Sequence, residues 1–158
     1  MITIESSDPH CADSSFLIGK LSAELAAITG DSGKNSFSTD SLAGERALWV
    51  VARDKHGEAR GCGAIRPLTD DIAELKRMYS DRRLPGTGRA LLAFLETAAR
   101  NMGYRELWLE TRQINHRAVA FYQKNGYVRI ENYGPYAGRA EAVCFAKTLK
   151  GAADDALA

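Results

Sequence analysis

The chain has 158 residues, 45% of them hydrophobic and 26% charged, and its formal net charge is +1. This composition is typical of one soluble globular domain, and the balanced charge gives no electrostatic case for a nucleic acid or an anionic membrane as partner. Its apolar runs fall well short of the ~20 residues that a membrane-spanning helix requires, and the N-terminus lacks the regions of a secretory signal, so we expect a cytoplasmic protein.

The N-terminal third of the sequence predicts a short strand, a helix and a loop. Alternating apolar residues favour a strand over residues 1–5, and Asp13 or Ser14 is a good cap for a helix that follows. One face of that helix is predicted to carry Phe16, Leu17, Leu21, Leu25 and Ile28. Residues 30–38 are rich in Gly, Ser and Asn and predict a loop, and residues 38–42 predict one helical turn.

The middle of the chain predicts three strands in succession. Residues 47–53 are dense in β-formers, and a turn at residues 54–57 leads into a second strand at 59–67, so we expect an antiparallel hairpin. Residues 72–79 alternate and predict the third strand. On regular alternation, one face of this strand carries Ile72, Glu74, Lys76 and Met78. The other face carries Ala73, Leu75, Arg77 and Tyr79.

The C-terminal half predicts two more helices and three more strands. A helix over residues 89–102 has a leucine-rich face and ends at Gly103. A short buried strand centres on residues 107–109, and Asn115 then caps a second helix, which ends at Gly126. The last two strands and the turn between them are predicted at residues 127–130, 142–148 and 133–136.

The chain is expected to form a single domain over residues 1–150, followed by a disordered tail at 151–158. Its three cysteines are scattered and odd in number, and neither they nor the three histidines have the spacing of zinc ligands. We therefore predict reduced thiols and no metal. Exposed edge strands in a small mixed sheet would favour a homodimer.

Residues 83–92 join the third strand to the next helix through a turn that holds Gly86 and Gly88. Glycine permits positive φ and close approach of another group, and a helix N-terminus offers unpaired N–H groups with partial positive charge. The basic residues around this turn are Lys76, Arg77, Arg82, Arg83 and Arg89. A phosphate or pyrophosphate site is predicted. A P-loop would need a Lys-[Ser/Thr] pair, and a dinucleotide fingerprint would need a small residue where Leu91 stands.

Two motifs of the chain resemble the GNAT N-acetyltransferase superfamily. Arg83, Gly86 and Gly88 match its Arg/Gln-x-x-Gly-x-Gly/Ala acyl-CoA loop. The second segment resembles Asn-x-x-Ala-x-x-Phe-Tyr-x-x-x-Gly-Phe/Tyr, with Asn115, Ala118, Phe121, Tyr122, Gly126 and Tyr127 at the matching positions. It begins 29 residues after Gly86, with one helix and one strand between, as in the superfamily. The resemblance covers residues 47–149.

This resemblance implies both a fold and an activity. The fold is α/β (α+β), with a central mixed, mostly antiparallel sheet flanked by helices and an acyl-CoA site where two strands splay apart before the glycine loop. The activity is that of an enzyme that moves an acetyl group from its co-substrate acetyl-CoA to a primary amine of a small molecule or peptide. Transfer is expected by direct attack in a ternary complex. No motif identifies the amine.

The resemblance also implies particular contacts with acetyl-CoA. Backbone N–H groups of the loop hold the pyrophosphate, one N–H within residues 78–80 polarises the thioester carbonyl, and Asn115 contacts the pantetheine arm. The expected contacts are Met78, Tyr79, Ser80, Arg83, Leu84, Gly86, Thr87, Gly88, Arg89, Asn115 and Tyr122. Pro85 departs from the pattern because it has no N–H to donate. Ser80 departs from the apolar residue that is usual at its position.

Two catalytic residues are expected from the same comparison. An alkyl amine of pKa about 10.4 is neutral in about one molecule in 2,500 at pH 7, so a general base assists the attack. Glu74, on the strand before the loop, is the predicted base; Glu110 or water are the alternatives. Glu74 could instead form a surface salt bridge with Lys76 or Arg129. Tyr122 is predicted to stabilise the leaving thiolate, and its alternative role is a core aromatic.

Two functions of other classes stay open at this point. A non-catalytic acyl-CoA binding or sensing module would bind the cofactor without using Tyr122 for chemistry. A nucleotide-phosphate binder would use the same glycine turn for ATP or NAD. In the last turn, Tyr133 and Tyr136 either line the acceptor pocket or are ordinary turn aromatics.

Overall fold

The computed structural model describes residues 1–31, 42 and 44–149 of the chain. Its strands are β1 (Thr3–Ser6), β2 (Leu48–Arg53), β3 (Ala59–Pro67), β4 (Ile72–Ser80), β5 (Glu106–Arg112), β6 (Val128–Ile130) and β7 (Ala142–Thr148). Its helices are α1 (Ala12–Thr29), α2 (Thr87–Asn101) and α3 (His116–Lys124), with a 3₁₀ turn at Gly134–Tyr136. The predicted tail at 151–158 lies outside the described residues, as does all of the predicted turn at 38–42 except Leu42 and most of the predicted loop at 30–38.

The described strands form one sheet in the order β1-β2-β3-β4-β5-β7-β6. β4 and β5 run parallel, and the other neighbours in this sheet are antiparallel. This arrangement confirms the mixed, mostly antiparallel sheet and the hairpin of β2 and β3. The bounds of β3 and β7 are those predicted: turn residues come before β3, and β7 is rich in apolar and β-forming residues.

The hydrophobic core lies on both faces of this sheet. On one face, α2 buries Leu91, Leu92, Leu95 and Ala99 against residues of β2–β5 and β7, and α3 adds Tyr122. Each fully buried leucine contributes roughly 1.5–3 kcal/mol. On the other face, α1 places Leu17 beside Trp49, Val51, Cys62 and Ala64. No helix of the described ranges is long and apolar enough to span a membrane.

Helix α1 differs from its predicted cap and face. It begins at Ala12 after Cys11, which makes no side-chain capping hydrogen bond. Phe16 is 56% exposed and Ile28 is 36% exposed, so the predicted apolar face is only partly buried. Instead the buried face includes the polar residues Ser14 and Ser22. Ser14 is buried at no net cost because its Oγ accepts a hydrogen bond of 2.8 Å from Trp49 Nε1.

Strand β4 contains a bulge that breaks the predicted alternation. Between two regular pairs, Arg77 and Met78 stand opposite the single residue Gly63, and Arg77 has a φ of 55°. The extra residue turns Met78 toward α2, where it packs against the main core, while Arg77 and Tyr79 face α1. The predicted faces are therefore correct as far as Lys76 and wrong beyond it.

Helix α2 begins two residues before the predicted start. Its N-cap is Gly86, whose φ of 87° lies in the left-handed region that favours glycine, and Thr87 is the first helical residue. The Thr87 hydroxyl donates to the Leu84 carbonyl oxygen at 2.7 Å and so stabilises the turn before the helix. Asn115 caps α3 as predicted, since its Oδ1 accepts from the Ala118 N–H at 3.3 Å.

Candidate active site

A cleft opens where β4 and β5 separate. The two parallel strands pair only at Ile72–Glu106, Ala73–Leu107 and Glu74–Trp108. Beyond Glu74, β4 stays with β3 as far as Ser80, while β5 stays with β7 as far as Arg112. Because the strands diverge, the last part of each becomes a wall of the cleft, and α1 and α3 supply the other walls.

The glycine loop lies at one end of this cleft. A Cβ on Gly88 would stand 3.2 Å from Ser80 Oγ and 3.6 Å from the ring of Phe121, so glycine at this position lets the loop approach both. Gly88 lines the cleft, and the first-turn N–H groups of α2 have no partner within the helix. Arg83, in the loop, and Arg89, in the first turn of α2, are both exposed. These groups could hold a diphosphate.

Asp81 and Arg60, which the sequence analysis did not assign to the site, hold the start of the loop in place. The Asp81 carboxylate accepts from the Arg83 N–H at 2.9 Å and from Arg60 at 3.0 Å. Hydrogen bonding by the Arg83 N–H, together with Arg60, lowers the pKa of Asp81 despite its partial burial. The Arg83 backbone is thereby occupied, so only its side chain is available to a ligand. The Asp-x-Arg spacing was the available signal, since an aspartate often bonds the backbone N–H two residues on.

Tyr122 is held in the core and lines the cleft. It is 8% exposed, and the rings of Phe121 and Tyr127 pack edge-on against it at 5.1 and 5.6 Å between centroids. Burial raises the pKa of its phenol, so the group stays protonated at neutral pH. None of the described residues hydrogen-bonds to this hydroxyl. Tyr122 is thus a core aromatic whose hydroxyl can donate a hydrogen bond to a ligand in the cleft.

Glu74, the predicted base, is fully engaged by its neighbours. Its side chain is buried, and its Oε1 accepts from Arg66 at 2.8–2.9 Å. Its Oε2 accepts from the Tyr133 hydroxyl at 2.6 Å. The expected alternative of an ion pair with Lys76 is present at 4.0 Å, but it is buried rather than on the surface, and the closer partner of the carboxylate is Arg66. Glu74 is also absent from the residues that line the cleft.

Glu110, the reserve candidate for the base, lines the cleft. Its Oε2 is buried and has no hydrogen-bond partner among the described residues. Burial raises the pKa of this carboxyl, and Arg112 and Lys76 act in the opposite direction. A carboxyl with a raised pKa and a free oxygen is suited to exchange a proton with a ligand.

The turn after β6 covers the far side of these groups. Lys76 donates to the Tyr136 hydroxyl at 2.5 Å. The ring of Tyr133 packs on Tyr136 and Trp108 at 5.4 and 5.2 Å. Burial lowers the pKa of Lys76, and Glu74 partly opposes that shift. Tyr133 therefore binds Glu74 and Tyr136 binds Lys76, both on β4. Neither tyrosine is among the residues that line the cleft, so their predicted place in the acceptor pocket stays a prediction.

The predicted contacts with acetyl-CoA fall into two groups. Those that line the cleft are Met78, Tyr79, Ser80, Gly88, Asn115 and Tyr122. The others, which belong to the loop around Gly88 without lining the cleft, are Arg83, Leu84, Gly86, Thr87 and Arg89. Within the described part of the chain, no cluster of three His, Cys, Asp or Glu could hold a metal ion.

Comparison with known proteins identifies the family. The model of the acetyltransferase (GNAT) family matches residues 22–127. The chain belongs to the GNAT family. Members of this family use acetyl-CoA as a co-substrate, and the splayed strands, glycine loop and α3 cap of this chain are the features through which it resembles them.

Two GNAT relatives show the extent of the match. The chain is 32% identical to the IAA acetyltransferase of Azospirillum brasilense over 123 residues, which are 76% of this chain and 80% of that protein. It is 38% identical to the uncharacterized N-acetyltransferase YjgM of Escherichia coli K12 over 90 residues. That match covers 54% of this chain and 53% of YjgM, so the chain spans about half the length of this relative.

A solved structure supports the same GNAT assignment. The chain is 32% identical to a Klebsiella pneumoniae protein assigned to the acyl-CoA N-acyltransferases, with a TM-score of 0.80. The superposition covers 95% of this chain and 99% of the Klebsiella chain. Family, relatives and structure together place this protein among the acyltransferase enzymes.

Proposed function

We propose that this GNAT protein transfers an acetyl group from acetyl-CoA to a primary amine within a ternary complex. One observation carries the proposal: Glu110 and Tyr122, whose pKa values are both raised by burial, line the same cleft beside Met78–Ser80. An acid and a base that converge on one cleft are what the reaction needs.

Acetyl-CoA is expected to bind across the glycine loop and the open part of β4. First-turn N–H groups of α2 and the side chains of Arg83 and Arg89 would hold the diphosphate, and Pro85 contributes no donor. N–H groups of residues 78–80 that point away from β3 would receive the thioester carbonyl oxygen. Anchoring of this kind lowers the barrier by positioning the thioester before the amine arrives.

The transfer step balances with Glu110 as proton acceptor and Tyr122 as hydrogen-bond donor. The amine nitrogen attacks the thioester carbonyl carbon, and its excess proton passes to the Glu110 carboxylate. The C–S bond then breaks, and the leaving thiolate accepts a hydrogen bond from the Tyr122 hydroxyl and takes its proton from solvent, because a phenol whose pKa is raised by burial is a weaker acid than the thiol. Glu110 is preferred to Glu74 because Glu74 is occupied by Arg66 and Tyr133 on both oxygens.

Thiol release from acetyl-CoA in the presence of a panel of primary amines tests the proposal. The expected result is release of CoA with a matching N-acetyl product, lost on removal of the amine. Binding of acetyl-CoA without product from any amine would instead support a non-catalytic acyl-CoA binding module. Comparison of acetyl-CoA with propionyl- and succinyl-CoA identifies the preferred donor.

A further inference from the structure

The cleft has an end away from the glycine loop, and that end is cationic on both sides of Glu110. We call it the acceptor end and define it by Lys76, Glu110, Arg112 and residues 25–31, which are the end of α1 and the two residues after it. Lys76 on β4 and Arg112 on β5 both line the cleft, and both act electrostatically on Glu110. A ligand whose amine reaches Glu110 therefore has positive charges to either side.

Arg112 differs from the other cations near Glu110 because its partners hold it loosely. Its guanidinium contacts Asp31 at 3.2 Å and Glu141 at 3.4 Å, and the side chains of these two are 45% and 57% exposed. Both distances exceed the ~2.8 Å of a strong charge-assisted hydrogen bond. Exposed ion pairs of this kind contribute little to stability. An incoming carboxylate could replace them at small cost.

The neighbouring cations are not available in the same way. Arg66 is paired with the buried carboxylate of Glu74 at 2.8 Å. Lys76 is bonded to the Tyr136 hydroxyl, and Arg77 donates to Ser22 Oγ at 2.7 Å from a buried position. Arg112 is the cation of the acceptor end best placed to bind an anion in two-pronged fashion.

An apolar wall faces these charges. Leu21, Leu25 and Ile28 of α1 line the cleft, and Ile28 keeps 36% of its surface exposed in the protein alone. An apolar substituent on the acceptor would cover this surface. Conversely, a second positive charge on the acceptor, as in a polyamine or an aminoglycoside, would lie near Lys76 and Arg112. Besides Glu110, the carboxylates that line the cleft are Glu24 and Asp31, and each is already in an ion pair with an arginine.

We propose that the acceptor is an amino acid with an apolar side chain, and that Arg112 selects it by binding the carboxylate beside its amine. This inference rests on the proposed function. It adds a substrate class and one specificity-determining residue, and it places the amine toward Glu110 with the side chain against α1.

The test uses three amines of matched shape, L-leucine, L-leucinamide and 3-methylbutylamine, and spermidine as a polycation, each with saturating acetyl-CoA. Wild-type protein is expected to prefer leucine in kcat/KM. Arg112→Gln should lower kcat/KM for leucine by about 10- to 100-fold, mainly through KM, because a charged hydrogen-bonded pair is lost. Activity with leucinamide and 3-methylbutylamine, which lack a carboxylate, should fall by a smaller factor that is equal for both, because Arg112 also lowers the pKa of Glu110 for every acceptor, and Arg112→Lys should lie between.

Arg139→Gln is the matched control. Arg139 also acts electrostatically on Glu110 but does not line the cleft. Its loss removes the same charge, so it should leave the ratio of leucine to leucinamide unchanged. Should Arg112→Gln fail to fold, Glu141→Gln gives the converse test, because removal of a competing carboxylate should lower the KM for leucine by about two-fold.

Three outcomes would overturn the inference. The first is a wild-type preference for 3-methylbutylamine, leucinamide or spermidine over leucine, and the second is a leucine-to-leucinamide ratio that Arg112→Gln leaves unchanged. In both cases amines are acetylated, so the proposed function stands. The third is binding of acetyl-CoA with no thiol release from any of the four amines or from the wider panel, which overturns the proposed function as well.

Discussion

Two similar side chains have different surroundings in the paired and the separated parts of β4 and β5. Glu74 and Glu110 lie on the same face of these adjacent strands, and both are largely buried. Glu74 lies at the last β4–β5 pair, where Arg66 and Tyr133 reach it and satisfy both oxygens. Glu110 lies past the point of separation and keeps one oxygen without a partner among the described residues. A carboxylate between paired strands is used in structural hydrogen bonds, whereas a carboxylate beside the cleft can bind a ligand.

Replacement of Glu110 by glutamine should give the largest effect on catalysis. The variant keeps the shape of the side chain and loses the base, so kcat should fall by about 100-fold at neutral pH. Its thermal midpoint should be equal to or above that of wild type, because an unpartnered carboxylate has been neutralised. Thiol-release kinetics and a melting curve check both parts. A kcat near the wild-type value would transfer the role of base to Glu74 or to water.

Glu74→Gln should show the opposite pattern. Loss of the charge leaves the Arg66 guanidinium without its anion, and we expect the free energy of unfolding to fall by about 3 kcal/mol. With the midpoint held safely above the assay temperature, kcat should stay within about 3-fold of wild type. Tyr133→Phe is the matched control, since it removes one hydrogen bond to the same carboxylate and should cost about 1 kcal/mol. A stable Glu74→Gln variant with strongly reduced kcat would contradict the structural role of Glu74 and make it the candidate base again.

Tyr122→Phe should lower kcat by about ten-fold and leave the KM for acetyl-CoA nearly unchanged, because only the transition state uses the hydroxyl. Tyr127→Phe serves as the control. Tyr127 packs against Tyr122 but donates its hydroxyl to Glu96 at 2.8 Å and does not line the cleft. That change should affect the melting midpoint rather than kcat. Equal losses of kcat in the two variants would assign Tyr122 to packing.

The smallest expected effect is on the pH dependence of stability. The folded-state pKa of Glu110 is raised above its unfolded value, so the folded protein binds the proton more tightly. Wild-type stability relative to Glu110→Gln should therefore increase as pH falls through the raised pKa, and level off below the unfolded pKa. The kcat of the wild-type protein should instead fall as pH falls through the same pKa, because Glu110 must be ionised to act as the base. Melting curves of both proteins between pH 4 and 8 check the sign.

Much of this arrangement follows from local sequence, and the rest depends on partners distant in the chain. The bounds of β3 and β7 and the Asn115 cap are readable locally, because turn residues and β-formers mark them. The bulge at Arg77 is not, since it depends on Gly63 of another strand. A Cβ on Gly63 would stand 2.6 Å from Met78 Sδ and 2.8 Å from Leu95 Cδ1, so the bulge and this glycine require each other.

The choice between two carboxylates was also beyond local sequence. Glu74 and Glu110 stand in similar strands, and what separates them is the reach of Arg66 and of the turn that carries Tyr133. The buried serines of α1 have the same explanation. Ser14 and Ser22 look polar in a helical pattern, but Trp49 and Arg77 donate to them across the interface. A polar residue becomes a core residue only when a distant partner is known.

The strand order has a consequence for when the cleft can form. β5 contacts β4 over three pairs and β7 over seven, and β7 is the last strand of the described chain. The wall that carries Glu110 therefore depends chiefly on a segment made after everything else in the sheet. We expect a nascent chain that ends before Ala142 to leave β5 open to proteases. Synthesis of residues 142–148 would then complete the wall of the cleft that carries Glu110.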